Sequence, residues 1–152
     1  MIRIVLYQPD IPQNLGAFMR LCACLGLELH VIEPCGFPLD EKKIRRAAMD
    51  YYTHLSLHRH SSWEAFIATL PAEARLLLLT TRASTPYTNF CFRPDDYMLL
   101  GSESAGVPDN VHHAATARLI IPMQPGMRSL NVVNSAAMVA GEALRQLAVS
   151  SV

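Results

Sequence analysis

Apolar and polar positions along the chain alternate between two periods, and the alternation sets out the elements. IRIVLYQ, near the N-terminus, is apolar and β-branched and predicts a strand, followed by the turn Pro9-Asp10-Ile11-Pro12-Gln13-Asn14. In LGAFMRLCACLG, Leu15, Phe18, Met19, Cys22 and Leu25 recur at helical spacing, with Gly26 as the stop. LELHVIEP predicts a second strand, and Asp40 caps a short helix over EKKIRRAAM. HLSLH reads as a weaker strand. Ser61-Ser62-Trp63-Glu64 has the form of a capping box opening the helix WEAFIATL.

The second half carries three continuous apolar runs, RLLLLTT, DYMLLG and RLIIP. Such runs fit strands covered on both faces. From Asn131 onward, Val132, Ala136, Val139, Ala143 and Leu147 form one helical stripe. Strands alternating with helices predict an α/β fold: a mostly parallel sheet with helices on both faces. The length of 152 residues suits one domain, 1–152. Ligands of such sheets bind beyond the carboxyl ends of the strands, at Thr80-Thr81, Gly101 and Ile121-Pro122-Met123. No G-x-G-x-x-G follows the first strand, and there is no Walker A lysine loop.

Composition narrows this picture. With 51% hydrophobic and 17% charged residues, part of the surface is expected to be covered by a second copy of the chain, a generous core being the alternative. No apolar run approaches the roughly 20 residues of a membrane span, and the N-terminus lacks the layout of a signal peptide. A cytoplasmic location is expected. The four cysteines, Cys22, Cys24, Cys35 and Cys91, have neither disulfide nor zinc spacing and read as buried free thiols. Cys22 and Cys24 fall on different helix faces. No cluster of His, Cys and Asp suggests a metal, and His112-His113 read as surface histidines. The formal net charge is zero, which excludes tight, indiscriminate nucleic-acid binding driven by bulk charge. An RNA partner would be held by local patches: Lys42, Lys43, Arg45 and Arg46, or His58-Arg59-His60. A solvated helix face is the alternative reading of such runs.

Three segments in order, PDIPQNLGAFMRLCACLG, LLGSESAGVP and IPMQPGMRSLN, resemble the motifs of SPOUT-superfamily RNA methyltransferases. The chain is most similar to the small family that methylates the ribose 2′-oxygen of the tRNA wobble nucleotide, and the likeness spans nearly its whole length. The resemblance implies a C-terminal trefoil knot over about residues 76–150, an exception to the rule against threaded chains. It also implies S-adenosylmethionine as cofactor, the anticodon stem-loop of tRNA as substrate, and a homodimer with active sites near the subunit interface. Leu79, Gly101, Ile121, Ser129 and Leu130 match cofactor-contacting positions. Arg20 matches the residue that activates the ribose hydroxyl. A guanidinium is a poor proton acceptor, so its chemical role is to hold phosphate or to stabilise a developing alkoxide.

Asn14 matches a position that orients substrate or Arg20, with capping of the first helix as the alternative. Arg128 matches a basic residue facing RNA or the partner subunit. Glu103 is expected to shape the second-motif loop by hydrogen bonding, and Glu142 to be structural. Ala105, Val133 and Gly141 depart from the usual pattern, Ala105 standing where relatives carry arginine. Methylation of another tRNA or rRNA nucleotide, or cofactor binding without catalysis, are the competing readings of the same motifs.

Overall fold

A computed structural model describes residues 1–150. Seven strands form one sheet: β1 (Arg3–Tyr7), β2 (Glu28–Ile32), β3 (Ser56–His60), β4 (Leu76–Leu79), β5 (Thr85–Pro86), β6 (Tyr97–Leu100) and β7 (Ala117–Ile120). Their order is β3-β2-β1-β6-β4-β7-β5, and every pairing is parallel. Five helices connect them: α1 (Pro12–Leu25), α2 (Glu41–Ala48), α3 (Trp63–Thr69), α4 (Asp109–Ala114) and α5 (Val132–Ser150).

Side chains alternate across each strand, so each strand feeds two cores. On one face Ile4 and Leu6 of β1, Leu29 of β2 and Met98 of β6 pack with Leu15, Phe18, Met19 and Cys22 of α1, Ile44 of α2, and Ala136, Val139, Ala140 and Ala143 of α5. On the other, Val5, Leu78 and Leu99 meet Phe66 of α3 and Val111 of α4. Both faces are therefore covered, which is why the central strands are apolar throughout.

Local chemistry explains most element ends. Pro12 opens α1, where its missing N–H costs nothing. Gly26 closes it in the left-handed region (φ 67°) and returns its N–H to the Cys22 carbonyl. Asp40 caps α2 by accepting from the Lys43 N–H at 2.8 Å. The cap of α3 is Ser62, accepting from Ala65 N–H at 3.0 Å. The expected box from Ser61 to Glu64 does not form, because the helix begins one residue later.

The third strand lies two residues beyond its expected span. Residues 49–54 coil into a 3-10 turn, and the edge strand takes up His58, Arg59 and His60 instead. The two-residue β5, with a proline tolerable only at a sheet edge, had no apolar pattern to announce it. Of the four cysteines only Cys22 is buried; Cys35 is half-buried and Cys24 and Cys91 are exposed. The four are free thiols. No helix among the described residues is long and apolar enough to cross a membrane.

Candidate active site

Beyond the carboxyl ends of β4, β6 and β7 lies a cavity of about 470 Å³. That is within the range of small-molecule sites. Its walls come from three loops, at 80–81, 101–107 and 121–131, and from the starts of α1 and α5. Leu79, Gly101, Ile121, Ser129, Leu130 and Asn14 all line it. Thr80 ties two of the strands together, its N–H donating to the Leu119 carbonyl at 3.0 Å.

Gly101 is required by its own loop. A Cβ there would lie 2.6 Å from the Gly106 carbonyl carbon and 2.7 Å from its Cα. The close approach exists because Ser102 and Gly106 exchange backbone hydrogen bonds of 3.0 and 2.9 Å. Gly106 permits the return with φ 65°. The tight loop directs residues 101–103 and 106–107 at the cavity.

A polar chain runs along one wall. Glu103 Oε2 accepts from the Asp10 backbone N–H at 2.8 Å, and its Oε1 accepts from Asn14 Nδ2 at 3.3 Å. Asn14 Oδ1 accepts from Asn131 Nδ2 at 3.3 Å. Asn131 Oδ1 in turn caps α5, accepting from the N–H groups of Val133 and Asn134 at 2.9 and 3.2 Å. The Ser104 hydroxyl donates to Asp10 Oδ2. Burial, followed by the neighbouring Asp10 side chain, raises the Glu103 pKa above the ordinary carboxylate value. Hydrogen bonds from Glu103 and then Ser104 lower that of Asp10.

Asn14 thus belongs to the wall and does not cap α1, whose N-cap is Ile11. Ser129 is likewise no helix cap, that place being taken by Asn131. Sequence reading left Asn131 out of the site; its position just before an apolar helical run was the available signal.

Arg20 stands apart. It lies six residues beyond Asn14, roughly 9 Å along α1 and about 240° around it. Its side chain is exposed, with the guanidinium 5.2 Å from the centre of the Tyr51 ring. It does not line the cavity of its own chain. Arg45 pairs with Glu41 at 3.3 Å and covers the Tyr52 ring at 4.7 Å. Arg46 is exposed on the same helix, and Arg128 is exposed at the cavity's rim loop. Neither forms a hydrogen bond or ion pair among the described residues. Arg20 and Arg45 thus each lie over the ring of one of two consecutive tyrosines, Tyr51 and Tyr52.

The second basic run fails as a patch. Arg59 makes two hydrogen bonds to Glu33 (3.0 and 2.8 Å) and one to the Leu39 carbonyl, and His60 is buried. His112 and His113 sit near the surface on α4, as read from sequence. Glu142 bonds Arg145 and Gln146, and the Arg145 guanidinium holds its carboxyl down at about 2. Against the expectation of no metal-like cluster, donor atoms of Glu28, His30 and His58 gather within 4.8 Å of one another.

A doubly covered parallel sheet with a cavity at its carboxyl edge defines an α/β fold with a ligand site at the strand ends. Residues 1–141 match the model of the SpoU rRNA methylase family, and the chain belongs to that family. It is 59% identical over 145 residues to a tRNA (cytidine(34)-2′-O)-methyltransferase of Beijerinckia indica, covering 95% of this chain and 91% of the relative. A solved structure reported for the 2-OH methylation of C/U34 on tRNA superposes with a TM-score of 0.91 at 42% identity, covering 97% of each chain. An AdoMet-bound rRNA methyltransferase of Sinorhizobium meliloti shares the fold, with a TM-score of 0.83 at 23% identity over 96% of this chain and 56% of that one.

Proposed function

We propose that the protein is an S-adenosylmethionine-dependent tRNA methyltransferase acting on the ribose 2′-oxygen of the wobble nucleotide, cytidine or modified uridine at position 34. The observation that carries this reading is the cavity, whose wall joins all three motif segments through Glu103, Asn14 and Asn131. The relatives' names supply the substrate class.

The lining suits the cofactor. Leu78, Leu79, Ile121 and Met123 offer apolar surface for a purine, and the turns at Gly101 and Ser129-Leu130 bring backbone close to the cavity. When bound, S-adenosylmethionine supplies a sulfonium-activated methyl group. The chain's part is to hold the 2′-oxygen in line with that methyl and to keep water out. Asn14 and Arg128 sit at the cavity wall and rim, where they hold the nucleotide. Arg45 and Arg46 take phosphates of the anticodon stem-loop.

Arg20 stabilises negative charge on phosphate or on the developing alkoxide and does not act as a free base, since guanidinium stays protonated above pH ~12. Because Arg20 lies outside its own cavity, it serves the cavity of a second subunit in a homodimer. The same reading has the chain from about 76 to 150 threaded as a trefoil knot within a single domain. Within that segment Gln146 of α5 is bonded to Phe90 and Phe92, between β5 and β6.

The test is transfer of labelled methyl to bulk tRNA, followed by nucleoside mapping. Label in 2′-O-methylated nucleotide 34 is expected. Label elsewhere overturns the substrate, and cofactor binding with no label overturns the catalytic reading. Arg20→Ala should keep cofactor binding and lose methylation. Mixing Arg20→Ala with a variant crippled at Gly101 should restore part of the activity if Arg20 acts across subunits.

A further inference from the structure

On the sheet face opposite α1, away from the cavity, the edge strand β3 and its neighbour β2 bring together side chains far apart in sequence. The register pairs Glu28 with Ser56, His30 with His58 and Ile32 with His60. The alternation of a strand sends Glu28, His30, Ser56, His58 and His60 to one face. Donor atoms of Glu28, His30 and His58 all lie within 4.8 Å of one another. His30 Nε2 stands 3.4 Å from Glu28 Oε2. Neighbouring ligand atoms around tetrahedral zinc, with bonds of about 2.0–2.1 Å, are separated by about 3.3–3.4 Å.

The geometry points to a divalent transition-metal site held by Glu28, His30 and His58, with zinc the cation its ligands fit. Two imidazoles and a carboxylate suit zinc and its late first-row neighbours far better than magnesium or calcium. His30 is held in place before any metal arrives. Its ring is buried and packs edge-on against Phe66 and Tyr97, with centroids at 6.1 and 5.8 Å. Its other nitrogen, Nδ1, meets His60 Nε2 at 2.9 Å, the outer-shell contact that sets the tautomer of a ligating histidine.

Glu28 is also oriented. Arg3 Nε donates to Oε2 at 2.7 Å, while Oε1 has no hydrogen-bond partner among the described residues. Oε2, the oxygen that faces His30, serves the metal, and the Arg3 contact it also accepts weakens the site without blocking it. His58 is exposed, stacks on His30 at 4.6 Å and touches the Ser56 hydroxyl at 3.2 Å. A rotation of this outer ring closes the site, and the solvent side leaves the fourth position to water. Since β3 is an edge strand paired only to β2, the metal would clamp the rim of the sheet.

The test is titration of metal-free protein with Zn²⁺ by calorimetry and with Co²⁺ by visible absorption. One Zn²⁺ per chain is expected, with an intense four-coordinate Co²⁺ spectrum. His58→Ala, at an exposed position that leaves the core untouched, should weaken Zn²⁺ binding at least tenfold, and Glu28→Gln should do the same. A Cys24→Ser/Cys91→Ser double variant should bind like the parent, and Zn²⁺ should shift histidine ring resonances at positions 30 and 58. Methylation of tRNA should not change in either ligand variant. Equal binding by parent and His58→Ala, loss of binding in the cysteine variant, or a weak six-coordinate Co²⁺ spectrum would each overturn the site.

Discussion

Replacing Gly101 with alanine puts one methyl group where the second-motif loop folds back on itself. The new Cβ would sit 2.6 Å from backbone of Gly106, against the 3.4 Å at which ordinary contact begins. The obstacle is main chain and cannot swing aside as a side chain would. The loop must retreat by roughly 0.8 Å or break the bridge between Ser102 and Gly106. Overpacking of this kind costs about 1–3 kcal/mol. For a protein of this size that corresponds to a fall in Tm of roughly 2–12 °C. Because residues 101–103 line the cavity, the same displacement should weaken S-adenosylmethionine binding at least about tenfold, the equivalent of 1.4 kcal/mol. Thermal melts and calorimetric titration of the cofactor measure the two effects on one sample. Gly106→Ala supplies the contrast: its Cβ meets nothing within 4 Å, but φ 65° would strain it by about 1–2 kcal/mol. A Gly101→Ala protein that melts and binds like the parent would refute the claim that this glycine shapes the cavity.

Asp96 is 2% exposed and takes two hydrogen bonds from Arg75, at 2.8 and 2.6 Å, and one from the Arg93 N–H. Asp96→Ala, which strands the guanidinium, should cost about 3–5 kcal/mol in urea unfolding. A loss below 1 kcal/mol would sink that account. Glu103 has its pKa raised by burial and by Asp10, so its contribution to stability is full below the ordinary carboxylate value. That contribution is lost as pH rises through the raised native value. Asp10, shifted the other way, loses its contribution as pH falls. Glu103→Gln should therefore abolish the decline on the alkaline side of this window in melts from acidic to neutral pH, and an unchanged profile would contradict it. Thiol titration of the native protein should show two fast groups, Cys24 and Cys91. Cys35, pushed up to about 11, and Cys22, pushed up to about 12, should react only slowly or after unfolding. Neutralising Lys42, Lys43 and Arg46 together should flatten the salt dependence of tRNA binding by about 0.7–0.9 in log–log slope per lost phosphate contact. A slope equal to the parent's would remove α2 from the RNA surface.

The legible parts of the fold were those whose cause is local. Asp40 before EKKI and Gly26 after CACL are signals contained in a few neighbouring residues, and both ends fall where they point. Leu77, Met98 and Leu119 read as buried because runs covered on two faces have no polar interruptions. The edges were harder. His58 fell within the expected strand HLSLH, but Arg59 and His60 did not, because polar residues at a sheet edge carry no apolar period, and Thr85-Pro86 is too short to show one. Among site residues, the three loops could be placed because each follows an apolar strand. Arg20 could not: helical spacing sets its angle around α1 but not what stands beside it, which is Tyr51. The Glu28, His30 and His58 cluster depends on the β2–β3 register, and no spacing in one dimension contains that register.

The cavity draws on Ile11 at one end of the chain and Ser135 near the other, with Asn14 and Asn131 bonded across 117 positions. A binding site spread so widely in sequence cannot exist in a fragment that lacks either α1 or α5. A ribosome-bound chain has every strand before it has the last wall of its pocket, which arrives only when α5 docks. Such long-range closure is also the slowest kind of contact to form. Cofactor affinity therefore reports completion of the fold. A partly synthesised or half-folded molecule would lack the pocket altogether, so the cell would meet this protein as either finished or inert.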